Sequence, residues 1–392
     1  MSEYSARDVE AVSVGLVRKH FYLFAENPEE ALVLESGVKI GPVTVAYETY
    51  GELAPGRDNA VLVLHALSGD CHVAAGYHDQ TDTIPGWWEN MVGPGKGIDT
   101  DRYFVICASI LGSCGGTTGP GATNPATGKP YGLDFPVVTV GDMVMTQQRL
   151  LTHLGITRLL AVIGGSLGGM QALEWSLRYP DQVAGVVALA TTMRHSPLAI
   201  AFNEIARQAI MADPNWRQGH YYDGPKPATG LAVARMIGHV TYLSDEALRR
   251  KFGRRLQGKD KFSFQFNGDF QVESYLRHQG TKFVARFDAN SFLYVTKAAD
   301  YFDLEHWGGK GSAVEAFAAA QALFLVVSFT SDWLYPTYQS RELIRALKKN
   351  GRDVSFCELK ADCGHDAFLL PNRRLSRLIA NFLERIQRES QI

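Results

Sequence analysis

Short runs of apolar residues recur along the chain at the length of buried β-strands. They are rich in Val, Ile and Leu, and they are Ala60–His65, Tyr103–Ala108, Leu159–Gly164, Val183–Ala190 and Phe324–Phe329. Continuous apolar runs are typical of strands that are buried on both faces of a sheet. Helical patterns lie between the runs, as in Val140–Leu154 and Met170–Tyr179. This alternation predicts an α/β fold with a mostly parallel central sheet and helices on both of its faces.

Two regions depart from the alternation. Val38–Tyr50 partly alternates between apolar and polar residues, which predicts an antiparallel hairpin that leads into the sheet. Residues 194–303 lack buried-strand runs and instead carry helical patterns, as in Leu198–Met211 and Asp245–Leu256. We therefore expect residues 194–303 to be a largely helical insertion, called the lid segment below.

The chain has 392 residues, which is enough for one large domain with an insertion. The predicted organisation is a core in two parts, residues 1–193 and 304–392, interrupted by the lid segment at 194–303. Residues 1–38 carry no recognisable motif.

Composition and charge exclude several classes of protein. Hydrophobic residues make up 46% and charged residues 20% of the chain, which is the balance of a globular protein with a sizeable core. The net charge of -2, without a charge run, gives no reason to expect a nucleic acid or a membrane surface as partner. The five cysteines form no C-x-x-C pair and the N-terminus has no secretory pattern, so we expect a cytoplasmic protein.

The first chemical signal is the sequence Gly164-Gly165-Ser166-Leu167-Gly168. It directly follows a predicted strand and directly precedes a predicted helix. A serine at such a sharp turn between small residues is typical of a nucleophile elbow, which leaves the hydroxyl exposed at the edge of the sheet. A glycine-rich turn without chemistry is the alternative. The sequence favours Ser166 as a nucleophile.

A nucleophilic serine needs a base and a third, orienting group. His365 lies in a loop between the strand-like sequence VSFCELK and a final helix, and Asp332 ends the run FLVVSFTSD. The order Ser, Asp, His along the chain is the order of enzymes built on a nucleophile elbow. The tetrahedral oxyanion needs two backbone N–H donors, for which we predict Leu167 and Leu67, with Ala66 as the alternative to Leu67.

Two competing kinds of site are disfavoured. His65, His72 and His78 are close in sequence, but their spacing matches no zinc pattern. The glycines of residues 93–97 and 112–119 lack the G-K-[ST] ending of a phosphate-binding loop. We therefore expect neither a metal nor a prosthetic cofactor.

Longer motifs make the sequence resemble the homoserine O-acetyltransferase family, which has the α/β-hydrolase fold. They cover most of the chain from about Lys39 onward and include HALSGDCHVAAG, LGSCGGTTGPGATNPATGKPYGLDFP, IGGSLGGMQALEWS, GLAVARMIGHVTY, SDWLYP and CGHDAFL. The resemblance implies a homodimer that transfers acetyl from acetyl-CoA to the hydroxyl of L-homoserine through an acyl-enzyme, as a step of methionine biosynthesis.

The resemblance also implies roles for four further residues. Arg235 matches the arginine that binds the homoserine carboxylate, Tyr242 can add a hydroxyl donor, and Asp366 matches the residue that holds the amine. Succinyl-using relatives are expected to carry an arginine at the position of Leu334. A leucine favours acetyl, because a buried succinyl carboxylate needs a cationic partner.

Three alternatives stay open from the sequence. The same fold can use succinyl-CoA, or it can act as an esterase in which water replaces homoserine. A non-catalytic binding protein that kept the fold is the third alternative, and the intact Ser, Asp and His order argues against it.

Overall fold

The computed structural model describes residues 13–77, 85–307 and 311–390. Residues 1–12, which open the predicted first part of the core, lie outside the described residues, and so does His78. The strands, numbered in chain order, are β1 (Leu16–Val17), β2 (His20–Phe24), β3 (Leu32–Val33), β4 (Lys39–Ile40), β5 (Val43–Tyr50), β6 (Ala60–Leu64), β7 (Gly76–Tyr77), β8 (Phe104–Ala108), β9 (Ala161–Gly165), β10 (Gly185–Leu189), β11 (Leu323–Phe329) and β12 (Val354–Leu359).

A central sheet organises the described residues into an α/β-hydrolase architecture. Within them, eight strands pair in the order β12-β11-β10-β9-β6-β8-β5-β2. The pairs from β12 to β8 are all parallel, whereas β5 and β2 are antiparallel to their neighbours. Every residue of β6, β9 and β10 is buried, as the continuous apolar runs predict. Because parallel strands end at the same edge of the sheet, the residues that follow β9, β11 and β12 lie close together.

The predicted hairpin over Val38–Tyr50 is wrong in its pairing. Its long strand, β5, pairs antiparallel with β2 on one side and with β8 on the other. Lys39–Ile40 instead form β4, which pairs with β3 in a separate small sheet. Strand pairing depends on contacts across the fold, and the alternation within one segment does not reveal its partner.

Helices cover the two faces of the sheet. Those in the described residues are α1 (Val140–His153), α2 (Leu167–Arg178), α3 (Pro197–Met211), α4 (Ala228–Tyr242), α5 (Asp245–Lys251), α6 (Gln271–Arg286), α7 (Ala289–Asp300), α8 (Leu304–Trp307), α9 (Ala313–Ala316), α10 (Thr337–Lys349) and α11 (Arg373–Ser390). None of them combines the length and the apolar character that crossing a lipid bilayer requires. α1 begins at a capping box, in which the side chains of Thr139 and Asp142 each accept a hydrogen bond from the other residue's backbone N–H.

Five helices, α3 to α7, fall within the lid segment. Its two ends lie side by side, because the backbones of Arg194 and Asp303 pair as an isolated antiparallel β-bridge and the N–H of His195 donates to the carbonyl of Phe302 at 3.0 Å. α5 ends at Lys251, earlier than predicted, and Gly253 follows at φ 53°, a conformation that ends helices. The boundaries of the lid segment at residues 193 and 303 stay a prediction.

Candidate active site

Ser166 occupies a sharp turn between β9 and α2. Its backbone has φ 57° and ψ -123°, a conformation that costs a non-glycine residue on the order of 1–3 kcal/mol. The turn depends on glycines nearby, because a Cβ at Gly164 would lie 2.2 Å from the carbonyl oxygen of Gly168. A Cβ at Gly168 would lie 2.1 Å from the carbonyl oxygen of Leu64. The strained serine and the small residues around it have the geometry of a nucleophile elbow.

His365 and Asp332 form a buried pair close to this turn. His365 Nδ1 lies 2.8 Å from Asp332 Oδ2, and the other carboxylate oxygen accepts the backbone N–H groups of Leu334 and Tyr335 at 3.0 and 2.9 Å. Burial alone would lower the pKa of His365, but the negative charges of Asp332 and Asp366 outweigh it and raise that pKa. The pair holds the Nδ1–H tautomer and leaves Nε2 as the nitrogen that can act as a base.

One cavity of about 130 Å³ brings the predicted site residues together. Asp332 does not line it and reaches it through His365. The other predicted residues all contribute to its wall: Leu67, Ser166, Leu167, Arg235, Tyr242, Leu334, His365 and Asp366. Residues from five separate parts of the sequence therefore face one cavity.

The two predicted oxyanion donors, Leu67 and Leu167, lie in the wall of the same cavity as Ser166. Leu167 is the first residue of α2, and the first N–H groups of a helix have no partner within the helix. Leu67 lies on the loop after β6, in a turn closed by the hydrogen bond from the N–H of Gly69 to the carbonyl of Ala66 at 2.9 Å. Ala66 also lines the cavity, so it remains the alternative to Leu67.

Arg235 brings a positive charge into the cavity. It lies on α4 two helical turns before Tyr242, so both side chains occupy the same face of that helix. The guanidinium lies 4.7 Å from the ring centroid of Phe283 and 5.8 Å from that of Tyr242, and it donates to the hydroxyl of Ser68 at 3.3 Å. These contacts hold its planar donor group against an aromatic wall.

Asp366 and Leu334 supply the anionic and the apolar parts of the same wall. Burial raises the pKa of Asp366, opposed by the positive charges of His365 and Arg235. Leu334 is 8% exposed and lies two residues after Asp332. The wall of the cavity thus contains a guanidinium group, a carboxyl group and an apolar side chain.

The structure adds residues that sequence reasoning missed. His195, Asn203 and Tyr335 also line the cavity, and the Tyr335 hydroxyl lies 3.0 Å from His195 Nε2. Tyr335 is adjacent to Leu334 in the motif SDWLYP, so its position was visible in the sequence. His195 and Asn203 belong to the lid segment, whose approach to the core no local pattern indicates.

Two of the three histidines weighed as metal ligands, His65 and His72, lie in the described residues and have other partners. His65 Nδ1 lies 2.8 Å from the carbonyl oxygen of Ala66, and its Nε2 accepts the N–H of Ile110 at 3.1 Å. His72 Nδ1 lies 2.9 Å from the carboxylate of Glu48. Within residues 13–77, 85–307 and 311–390, no group of three or more His, Cys, Asp or Glu side chains has an arrangement that could hold a metal ion.

Residues 59–371 match the family described as alpha/beta hydrolase fold. A homoserine O-acetyltransferase from Solidesulfovibrio magneticus is 65% identical over 386 residues, which are 98% of this chain and 97% of that protein. The chain belongs to the homoserine O-acetyltransferase family.

A relative from Acidithiobacillus ferrooxidans, 52% identical over 97% of this chain and 98% of its own length, is named homoserine O-succinyltransferase. Members of similar sequence therefore carry names for two different acyl donors.

Solved structures extend the comparison to known folds. The crystal structure of homoserine O-acetyltransferase from Bacillus anthracis has a TM-score of 0.86 at 30% identity, covering 94% of this chain and 98% of that one. Esterase E22 has a TM-score of 0.85 at 32% identity, covering 94% of this chain and 100% of that one. Backbone similarity is nearly equal for the transferase and the esterase, so side chains of the site must separate the two activities.

Proposed function

We propose that the chain transfers an acetyl group from acetyl-CoA to the hydroxyl of L-homoserine through an acyl-enzyme on Ser166. The observation that carries the proposal is the single cavity in which Ser166 and His365 lie together with Arg235 and Asp366. Homoserine is a zwitterion, so its binding site requires a cation for the carboxylate and an anion for the ammonium group. A general esterase needs neither charge.

The first half-reaction forms the acyl-enzyme. Ser166 Oγ attacks the thioester carbonyl carbon while its proton passes to His365 Nε2, and Asp332 stabilises the resulting imidazolium. The backbone N–H groups of Leu67 and Leu167 stabilise the negative charge on the carbonyl oxygen. The C–S bond then breaks, and the coenzyme A sulfur leaves with the proton from His365.

The second half-reaction transfers the acetyl group. Arg235 binds the carboxylate of homoserine, Tyr242 adds a hydroxyl donor, and Asp366 binds the ammonium group. His365 removes the proton from the homoserine hydroxyl, whose oxygen attacks the acetyl carbonyl carbon. The bond from that carbon to Ser166 Oγ breaks, the serine recovers its proton from His365, and O-acetyl-L-homoserine leaves.

These steps need a nucleophile, a base and hydrogen-bond donors, so the proposal includes neither a metal nor a prosthetic cofactor. We also propose a cytoplasmic homodimer. Apolar side chains exposed on α3 and α4 support an interface there, with Leu198 48%, Ile205 55% and Val240 40% exposed.

Thiol release tests the function directly. We expect acetyl-CoA alone to give a burst of free thiol that stops near one equivalent of enzyme, and L-homoserine to restore steady release. Steady release that is independent of homoserine would instead identify an esterase-like hydrolase.

Replacing Arg235 with alanine should weaken the use of homoserine and spare the first half-reaction. Losing a charged hydrogen-bond pair to a substrate in a desolvated site costs on the order of 2–5 kcal/mol. We therefore expect a large rise in the KM for homoserine, measured by steady-state thiol release, and a nearly unchanged burst with acetyl-CoA alone. Arg249→Ala is the matched control, because Arg249 lies exposed on α5. A burst that falls in parallel with turnover would show that Arg235 is structural or binds the donor.

Leu334 should favour the short acetyl donor. A succinyl group ends in a carboxylate, and burying that charge against leucine without a cation is unfavourable. We expect a higher kcat/KM for acetyl-CoA than for succinyl-CoA, and Leu334→Arg should shift the ratio toward succinyl-CoA. Leu334→Met serves as the control, because it keeps an apolar side chain of similar size. A wild-type preference for succinyl-CoA would overturn the donor and leave the acyl-enzyme mechanism intact.

A further inference from the structure

The cavity is too small to enclose a whole acyl-CoA. Its volume is about 130 Å³. For scale, a cavity of about 150 Å³ engineered into another protein holds one molecule of benzene. The acyl group fits this scale, whereas the nucleotide end of coenzyme A, with its pyrophosphate and 3′-phosphate, does not. When acetyl-CoA places its thioester at Ser166, its phosphates therefore lie outside the cavity.

Arg286 is a cation that reaches the wall of the cavity from outside. It is the last residue of α6, and its side chain is exposed. Its Nη1 donates to the carbonyl oxygen of Ser68 at 2.9 Å, and Ser68 lines the cavity whereas Arg286 does not. Ser68 is itself half-buried, so this part of the wall continues to the surface. A molecule that enters the cavity past Ser68 passes beside the Arg286 guanidinium.

The charge of Arg286 has no ion-pair partner among the described residues. By contrast Arg207 and Arg250, elsewhere in the lid segment, each pair with a carboxylate. Although the side chain is exposed as a whole, partial desolvation and the charge of Arg235 lower the pKa of Arg286, and the charge of Asp70 only partly opposes them. An anion that binds beside Arg286 would therefore meet a cation without a counter-ion.

Lys282 extends this positive charge away from the cavity. It precedes Arg286 by four residues on α6, so the two side chains share a face and lie about 6 Å apart along the helix axis. Lys282 is exposed, and in the part of the chain that the structure describes it too forms no ion pair. Arg286 and Lys282 are called the basic pair below. The planar donor fork of arginine suits phosphate oxygens, and lysine adds a second point charge.

We infer that the basic pair binds the phosphate groups of the acyl donor outside the cavity. The inference rests on the function proposed above and names where the nucleotide end of the donor binds. The pyrophosphate lies between the pantetheine arm and the nucleoside, so Arg286, beside the cavity wall, is placed to meet it before Lys282 does. The basic pair holds the donor and takes no part in bond breaking. Homoserine carries no phosphate, so its use should not depend on the basic pair.

Arg286→Gln is the direct test, because glutamine removes the charge and keeps an N–H donor for the Ser68 carbonyl. Pre-steady-state thiol release measures the second-order rate constant of acylation. With acetyl-CoA this constant should fall about ten-fold, equivalent to about 1.4 kcal/mol. With S-acetyl-pantetheine, which carries the same thioester and no phosphate, the variant should stay within about two-fold of wild type.

Three further variants separate charge from packing. Arg286→Lys keeps the charge and should recover most of the acylation rate with acetyl-CoA. Lys282→Gln should lower that rate less than Arg286→Gln does, because Lys282 lies farther from the cavity. Arg277→Gln is the matched control, with no change expected. Arg277 is exposed on the opposite side of the same helix, where it donates to the carbonyl of Asn267 at 3.0 Å.

Ionic strength gives a second readout. Dissolved salt screens the attraction between exposed charges. Acylation of wild type by acetyl-CoA should therefore slow as salt is added. Acylation by S-acetyl-pantetheine should depend much less on salt, and Arg286→Gln should depend on it less than wild type does.

Three results would overturn the inference. An equal fall with both donors would show that Arg286 holds the loop of Ser68 for the reaction itself. An unchanged rate with acetyl-CoA would remove the phosphate contact, and a rise only in the KM for homoserine would place Arg286 at the acceptor. The wild-type burst separates this inference from the proposed function. No burst with either donor contradicts the proposed function, whereas a normal burst with any of these three results contradicts only the phosphate site.

Discussion

Replacing Ser166 with alanine is expected to abolish acyl transfer, because it removes the only atom that bonds to the acyl carbon. Loss of the nucleophile in serine enzymes of this type costs on the order of 10⁴-fold or more in kcat. Steady-state thiol release with acetyl-CoA and homoserine measures the effect. Ser176→Ala is the matched control on the same helix, where the Ser176 hydroxyl donates to the carbonyl of Leu173 at 2.7 Å. Its activity should equal that of wild type.

Two cysteines are the competing nucleophiles. Burial raises the pKa of Cys71 to about 12, so at neutral pH almost none of its thiol is in the reactive thiolate form. Cys114 is exposed, so the Ser166→Ala variant, and not burial, must decide against it. Retained turnover in Ser166→Ala with a normally folded protein, judged by its melting temperature, would contradict the assignment of Ser166.

The second large effect is expected from Asp332→Asn. An asparagine amide can donate to His365 Nδ1, which would place the imidazole hydrogen on Nε2, the nitrogen that must accept the serine proton. The same change in a serine protease triad lowers kcat by about 10⁴-fold. We expect a loss of that order in kcat at neutral pH, with Asp353→Asn as the control. Asp353 lies at the surface and pairs with Arg385.

The pH dependence provides an independent check on Asp332. The base must be neutral, so activity rises with pH through the pKa of His365. The charge of Asp332 raises that pKa, so removing the charge should move the acidic limb of the kcat/KM profile to lower pH. A loss below ten-fold, about 1.4 kcal/mol, together with an unmoved limb would show that Asp332 does not act on His365.

The sequence predicted the parts of the fold that local physical chemistry determines. Continuous apolar runs mark β6, β9 and β10, because strands covered on both faces have no polar side. The glycines at 164 and 168 mark the elbow, because the surrounding backbone leaves no room for a Cβ at either position. The parallel strands β9, β11 and β12 end at one edge of the sheet and bring Ser166, Asp332 and His365 together there, as their order along the chain predicts.

Long-range contacts explain what the sequence did not predict. The partners of β5 are β8 and β2, the latter in a segment without a recognisable motif, whereas alternation within Val38–Tyr50 suggested a local hairpin. His195 and Asp300 lie at the two ends of the lid segment and meet only when those ends come together. Neither residue belongs to a motif with chemistry of its own, so only the folded arrangement shows that they pair and that His195 lies beside the Tyr335 hydroxyl.

Identification of the acylated residue tests the central claim most directly. The enzyme is mixed with acetyl-CoA in the absence of homoserine, quenched in acid, digested and analysed by mass spectrometry. The account predicts an acetyl group on the peptide that contains Ser166, and its disappearance with formation of O-acetyl-L-homoserine when homoserine is added before the quench. An acetyl group on Cys71 or Cys114 instead, or an adduct on Ser166 that homoserine does not discharge, would contradict it.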